Sequence, residues 1–333
     1  MVLYMKRFIV LLLCLMATAG PAAGDGRTGG RPRVVTTIFP LYDWTREILG
    51  DAAASWDLTL LLDSGVDLHS YQPTVQDIAK VSTCDLFVCV GGESEGWVKD
   101  ALKNATRKGQ VAMNLLDLLG PAVKEEKRVE GMEEEAHDHD HDHEHDEHEH
   151  DEHEAELDEH VWLSLRNAEA ACRHLAEALA KVDPAHGEAY AANAARYIER
   201  LQELDGRYRA AVEGGVRRVI LFGDRFPFRY LADDYGLTYY AAFAGCSAET
   251  EASFATVTFL AARTEELGLP CVLTLEGSRH RIAETVVANT RTKDQRVLSM
   301  DSMQSATLRD AREGATYLSI MEKNLETLKA ALN

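Results

Sequence analysis

Between Pro184 and Glu213, apolar side chains recur every three or four residues at Tyr190, Ala194, Tyr197, Leu201, Leu204 and Tyr208. That is the period of one buried helical face. Asp183 is placed to cap such a helix, Pro184 suits its first turn, and Gly214-Gly215 ends it. Thirty residues rising 1.5 Å each make a rod of roughly 45 Å, long enough to span two domains. The chain on either side must therefore fold as two bodies on one stiff strut. At 333 residues it has the length to give each body its own core.

Both sides read as strand alternating with helix. Before the strut, strands are expected over Arg33–Phe39, Leu58–Leu62 and Asp85–Val90, with helices over Leu41–Leu49, Thr74–Val81 and Trp97–Asn104. Leu165–Val182 forms a further helix leading to the strut. After it, strands fall at Arg218–Phe222, Leu237–Phe243, Cys271–Leu275 and Arg296–Met300. Helices fall at Phe228–Tyr235, Ser253–Leu267, Arg281–Asn289 and Gly314–Leu332. The fold class that follows is α/β: two parallel-sheet lobes joined by one long rigid helix, with the N-terminal lobe over 33–165, the connecting helix over 184–213 and the C-terminal lobe over 214–333. Ligands of such sheets sit at the loops leaving the carboxyl ends of strands, which here places a site in the cleft between the lobes.

One stretch belongs to neither pattern. From His137 to His153, eight histidines alternate with aspartate and glutamate within 17 residues, and the run continues to Asp158-Glu159-His160. It has nothing apolar to bury, so residues 125–158 are expected to form a solvated, disordered loop. Residues 125–159 hold 19 acids against 2 bases, so most of the formal net charge of −20 is local. The remainder, near −3, has no basic patch for nucleic acid. Imidazole beside carboxylate is ligand chemistry for zinc and similar divalent cations.

The ends and the cysteines set the compartment. Lys6 and Arg7 precede an apolar stretch from Phe8 to Ala19, followed by small residues with cleavage sites after Ala19 or Ala23. Residues 1–23 read as a signal peptide, and the protein as exported, periplasmic or at the cell surface. Cys14 lies inside the apolar stretch behind Leu13, which argues against a lipid anchor. Cys84, Cys89, Cys172, Cys246 and Cys271 remain, with no C-x-x-C, and read as small buried hydrophobes.

Three residues have the character of fixed metal ligands. His69 lies in the polar loop after the second strand, His160 where apolar sequence resumes after the acidic run, and Asp301 directly after the strand Arg296–Met300. Each alone has a plainer explanation, a surface histidine or a turn-capping aspartate.

Several segments together resemble the substrate-binding proteins of zinc and manganese ABC importers, the ZnuA-like family. Val34-Val-Thr-Thr-Ile-Phe-Pro40 resembles its opening strand, and Asp67-Leu-His-Ser-Tyr-Gln-Pro-Thr74 its Asp-Pro-His-x-Tyr-x-Pro-Thr loop. Glu159-His-Val-Trp-Leu163 is similar to its His-Val-Trp-Leu segment, which in many members follows a His/acid loop. Tyr230–Leu237 and Gly245-Cys-Ser-Ala-Glu-Thr-Glu-Ala-Ser253 resemble two further family segments.

The resemblance implies capture of Zn2+, with Mn2+ second, and delivery to an ABC permease by a monomer that is not an enzyme. It implies His69, His160 and Asp301 as metal ligands. The family's fourth position falls on Arg225, whose guanidinium cannot ligate a cation, and adjacent Asp224 is the expected substitute, with Glu276 or water as alternatives. The acidic loop then gathers cations, senses metal sufficiency or merely solubilises. The rival functions are a zinc-dependent hydrolase, which the absence of His-Glu-x-x-His disfavours, and a metal-binding adhesin on the same fold.

Overall fold

The computed structural model describes residues 30–133, 156–247 and 251–333. The signal segment and His137–His153 lie outside the described residues.

In the N-terminal half, β1 (Arg33–Thr36), β2 (Asp57–Leu60), β3 (Leu86–Cys89) and β4 (Val111–Asn114) form one parallel sheet in the order β2-β1-β3-β4. In the C-terminal half, β5 (Val219–Phe226), β6 (Thr238–Ala244), β7 (Cys271–Leu275) and β8 (Arg296–Met300) form a second, in the order β6-β5-β7-β8. All pairings are parallel, and the central strand β3 is fully buried because helices cover both faces of such a sheet. The expected α/β class with two parallel sheets is observed. Strand β4 was not anticipated.

Around the first sheet lie α1 (Phe39–Leu49), α2 (Val75–Thr83), α3 (Trp97–Lys103), α4 (Leu115–Leu119) and α5 (Leu165–Val182). Thr74 caps α2 as expected and forms a reciprocal capping box with Asp77. The long helix is α6 (Gly187–Gly214), entered through a 3-10 turn at Pro184–His186. Beyond it come α7 (Arg229–Tyr235), α8 (Phe254–Glu266), α9 (Arg281–Ala288), α10 (Leu308–Arg312) and α11 (Tyr317–Leu332).

Helix α6 is fastened at both ends. Near its start the Tyr190 hydroxyl accepts from Trp56 Nε1 at 3.1 Å, and Asn193 donates to the Ile48 carbonyl at 2.8 Å. Near its end the Tyr208 hydroxyl donates to the Met321 carbonyl at 2.6 Å, and the Tyr235 hydroxyl donates to Asp205 at 3.0 Å. One end thus holds the first half and the other holds the second, as the apolar stripe predicts. The halves also meet directly through α1 and α11. Trp44 and Tyr317 pack edge to face with ring centroids 5.0 Å apart, and Asp43 accepts from the Tyr317 backbone N–H at 2.8 Å. Among the described residues, no helix is long and apolar enough to cross a membrane.

The acidic loop differs from expectation at its ends. Glu125 and Leu157 form an antiparallel bridge, with Glu126 N donating to Glu156 O at 2.7 Å and Asp158 N to Lys124 O at 2.8 Å. The first limb then crosses to the C-terminal half. Glu133 donates its N–H to the Ala242 carbonyl on β6 at 2.8 Å and accepts from Ser253 N and Thr256 Oγ1 at the start of α8. Residues 125–133 are therefore not free chain of the first lobe. Their backbone and carboxylates find fixed partners that composition alone cannot reveal.

Candidate metal centre

The loop after β2 delivers His69. Asp67 caps a short 3-10 turn, Leu68–Ser70, by accepting from the His69 backbone N–H at 2.9 Å. The His69 ring is nine per cent exposed, with Nδ1 2.7 Å from Ser94 Oγ and 3.6 Å from Glu159 Oε2. Glu159 is itself oriented by the Ser94 backbone N–H at 2.9 Å. Its carboxylate fits because Gly92, at φ +88°, carries no Cβ, which would stand 2.3 Å from Oε1.

His160 arrives from the opposite side, two residues after the bridged limb ends. Asp158 Oδ1 accepts from the His160 backbone N–H at 3.0 Å and lies 2.9 Å from its Nδ1. Beyond it, Val161-Trp-Leu163 forms a fully buried 3-10 turn that anchors the ring across the molecule. Trp162 Nε1 donates to the Ser302 carbonyl at 2.8 Å, and the Tyr317 hydroxyl donates to the Trp162 carbonyl at 2.7 Å.

These supports aim the two Nε2 atoms at each other, 3.1 Å apart. At His160 the Asp158 carboxylate on Nδ1 favours the tautomer that leaves Nε2 as a lone pair, the usual support of a metal-ligating histidine, and at His69 the Ser94 hydroxyl stands in that place. Tetrahedral zinc holds two imidazole nitrogens roughly 3.3 Å apart, given bonds of about 2.0–2.1 Å. The spacing therefore suits one shared cation. Burial, the neighbouring His160 and Arg225 push the His69 pKa down to about 3 against the pull of Asp67, so the ring stays neutral, the form that ligates.

The C-terminal half closes the site. Cys246, in the turn after β6, places its sulfur in one group with the two imidazoles, all three donor atoms lying within 4.8 Å of one another. Burial, then the carboxylates of Glu126 and Asp158, raise its thiol pKa. Arg225 Nη2 donates to Asp67 Oδ2 at 2.7 Å, and Nη1 to the Ser247 carbonyl at 3.4 Å. Burial alone would raise the Asp67 pKa, but the Arg225 charge, with hydrogen bonds from the His69 backbone N–H and the Arg225 side chain, holds it below the ordinary range.

Asp224, expected as the fourth ligand, lies outside this group of three and is engaged elsewhere. Strand β5 does not end at Phe222 but continues to Phe226 through an irregularity between Phe222 and Arg225. Neighbouring strand residues face opposite sides. Arg225 faces Asp67, while Asp224 Oδ2 accepts from Thr274 Oγ1 at 2.8 Å and Leu275 N at 3.2 Å. Asp301 follows β8 as expected but lies outside the 4.8 Å group. Its Oδ1 accepts from Met303 N at 2.7 Å, and its backbone is clamped by Asn324. Nearby Glu276 accepts from both the N–H and the hydroxyl of Ser302. Burial raises the pKa of both carboxyls, and the Asp301 charge raises that of Glu276 further.

Residues 34–331 match the family described as zinc-uptake complex component A, periplasmic, or ZnuA. The chain belongs to the ZnuA family. The high-affinity zinc uptake system protein ZnuA of Bacillus subtilis is 32% identical over 327 residues, covering 97% of this chain and 96% of that protein. The zinc-binding lipoprotein AdcA of Streptococcus pneumoniae is 31% identical over 330 residues, and the chain spans only 61% of it. The Zn(II)-bound ZnuA-like domain of that AdcA superposes with a TM-score of 0.66 at 26% identity, covering 91% of this chain and 99% of that domain. The family resemblance carried by the Asp67–Thr74 and Glu159–Leu163 segments therefore holds along the whole fold. What sequence reasoning missed is Cys246, classed with the buried cysteines although it is the only half-buried one of the five free cysteines among the described residues.

Proposed function

We propose that this ZnuA-family chain is an exported, monomeric solute-binding protein that captures zinc between its halves and passes it to an ABC permease. The observation that carries the reading is the pair of buried imidazoles, each oriented through Nδ1, with Nε2 atoms 3.1 Å apart. The names of the relatives, a zinc uptake protein and a zinc-binding lipoprotein, support the same cargo. The word lipoprotein also weighs against reading Cys14 as unmodified. Nitrogen donors favour zinc over manganese, which prefers more oxygen.

Asp301 acts as the donor that arrives last. Its carboxyl pKa is raised by burial, and a cation drawn toward it offsets that cost of holding a buried charge. The role is binding rather than turnover, because release requires only that the halves part and all ligands weaken together. Calorimetry tests it: one tight zinc site per chain that His160→Ala abolishes, with no hydrolysis of esters or peptides. Turnover of either substrate, or tight binding that survives His160→Ala, overturns the proposal.

A further inference from the structure

We propose that Cys246 is the third protein donor to the cation held by His69 and His160, binding as its thiolate, an inference that rests on the cation-binding reading above. Its sulfur and the two imidazoles are the one group of three metal-ligating side chains found together among the described residues. Tetrahedral zinc holds sulfur and nitrogen donors about 3.6 Å apart, from bonds of about 2.3 and 2.0–2.1 Å, so a limit of 4.8 Å closes with a small inward shift.

The turn bearing Cys246 is built against the histidine. Gly245 lies so close that a Cβ there would stand 3.2 Å from His160 Cε1 and Nδ1 and 2.9 Å from the Phe226 carbonyl. Only glycine lets the backbone before Cys246 rest on the ring. The turn is also held from both sides. Glu126 Oε1 accepts from the Cys246 N–H at 2.7 Å, and Arg225 donates to the Ser247 carbonyl at 3.4 Å. Because Arg225 also binds Asp67, which caps the His69 turn, one guanidinium ties the cysteine-bearing loop to the histidine-bearing loop. The position where the family resemblance calls for a ligand is thus occupied by a residue that positions two others, and the missing donor comes from the turn after the neighbouring strand β6.

Ligation breaks the Sγ–H bond and forms a metal–sulfur bond from the sulfur lone pair. The proton leaves to solvent and no oxidation state changes. A sulfur donor shifts selectivity toward soft cations such as zinc and away from manganese.

Cobalt(II) loading reports the bond directly. The wild-type protein is expected to show a near-ultraviolet sulfur-to-cobalt charge-transfer band that Cys246→Ser lacks. In chelator competition, Cys246→Ser is expected to weaken zinc binding about 100-fold or more, and Cys246→His to restore much of that affinity without the band. Zinc should also shield one thiol of the folded wild type from a disulfide reagent, a measurement that needs no variant to fold. Tight zinc and cobalt binding by the wild type with no sulfur band and no shielded thiol overturns this inference while leaving the proposed function standing. A wild type that binds neither ion overturns both.

Discussion

Arg225 changes meaning once its neighbours are known. In sequence it is a cation where a ligand belongs. In the folded chain its charge is matched by Asp67 at 2.7 Å, and through Asp67 it braces the turn carrying His69. Arg225→Ala should therefore weaken zinc binding by roughly tenfold, as loss of a ligand's support does. Thermal stability should change little, because a part-exposed ion pair contributes only about 0–1 kcal/mol. Chelator competition alongside a melting curve separates the two, and tighter zinc binding in the variant would show that the guanidinium repels the ion after all. Asp158→Asn should weaken zinc binding by about 10–100-fold without unfolding the chain, since it frees the His160 ring to turn.

At the scale of elements, legibility in the sequence tracks how local the cause is. Strands β7 and β8 have the expected bounds because each is a β-branched or apolar run closed by polar or turn residues. Helix α1 begins at Phe39, earlier than expected, because Pro40 serves as a first-turn residue rather than a strand stop. Strand β5 overruns its expected end because Gly223-Asp-Arg looks like a turn, whereas pairing with β6 carries it on. That overrun decides which partners Asp224 and Arg225 meet, and it is set by pairing with the next strand, β6, rather than by the local residues. His69 and His160 were legible because each sits in a distinctive local segment; Cys246 was not, since only tertiary packing brings it to them.

Two buried side chains that are not metal donors make testable contributions to stability. Trp162→Phe removes the donor to the buried Ser302 carbonyl and leaves space, a loss of about 2–4 kcal/mol in urea unfolding. Burial raises the Asp43 pKa to about 6 against the pull of Arg46 and the Tyr317 N–H. Its folded pKa exceeds the unfolded 3.8, so the folded state keeps a proton that the unfolded state has lost. Stability from this group is complete below pH 4 and falls as pH rises to 6, by on the order of 3 kcal/mol in total. Asp43→Asn should gain on the wild type across that window, and a constant difference between the two from pH 4 to 6.5 would refute the assignment.

For the whole molecule, a helix fastened to both halves and a second contact through Trp44 and Tyr317 oppose a wide hinge. Small-angle scattering should show nearly the same radius of gyration with and without zinc, and a large contraction would contradict this. The bridge between Glu125 and Leu157 has a further consequence for the His/acid run. It anchors the return of that run beside Asp158, next to His160, so if the run gathers cations, an ion held along residues 134–155 would be tethered to the metal centre. Transfer would then be an intramolecular step governed by an effective concentration near the millimolar range rather than by dilute metal outside. Stopped-flow loading at scarce zinc should then contain a phase whose rate does not depend on protein concentration, and excising 134–155 should abolish that phase while sparing the tight site.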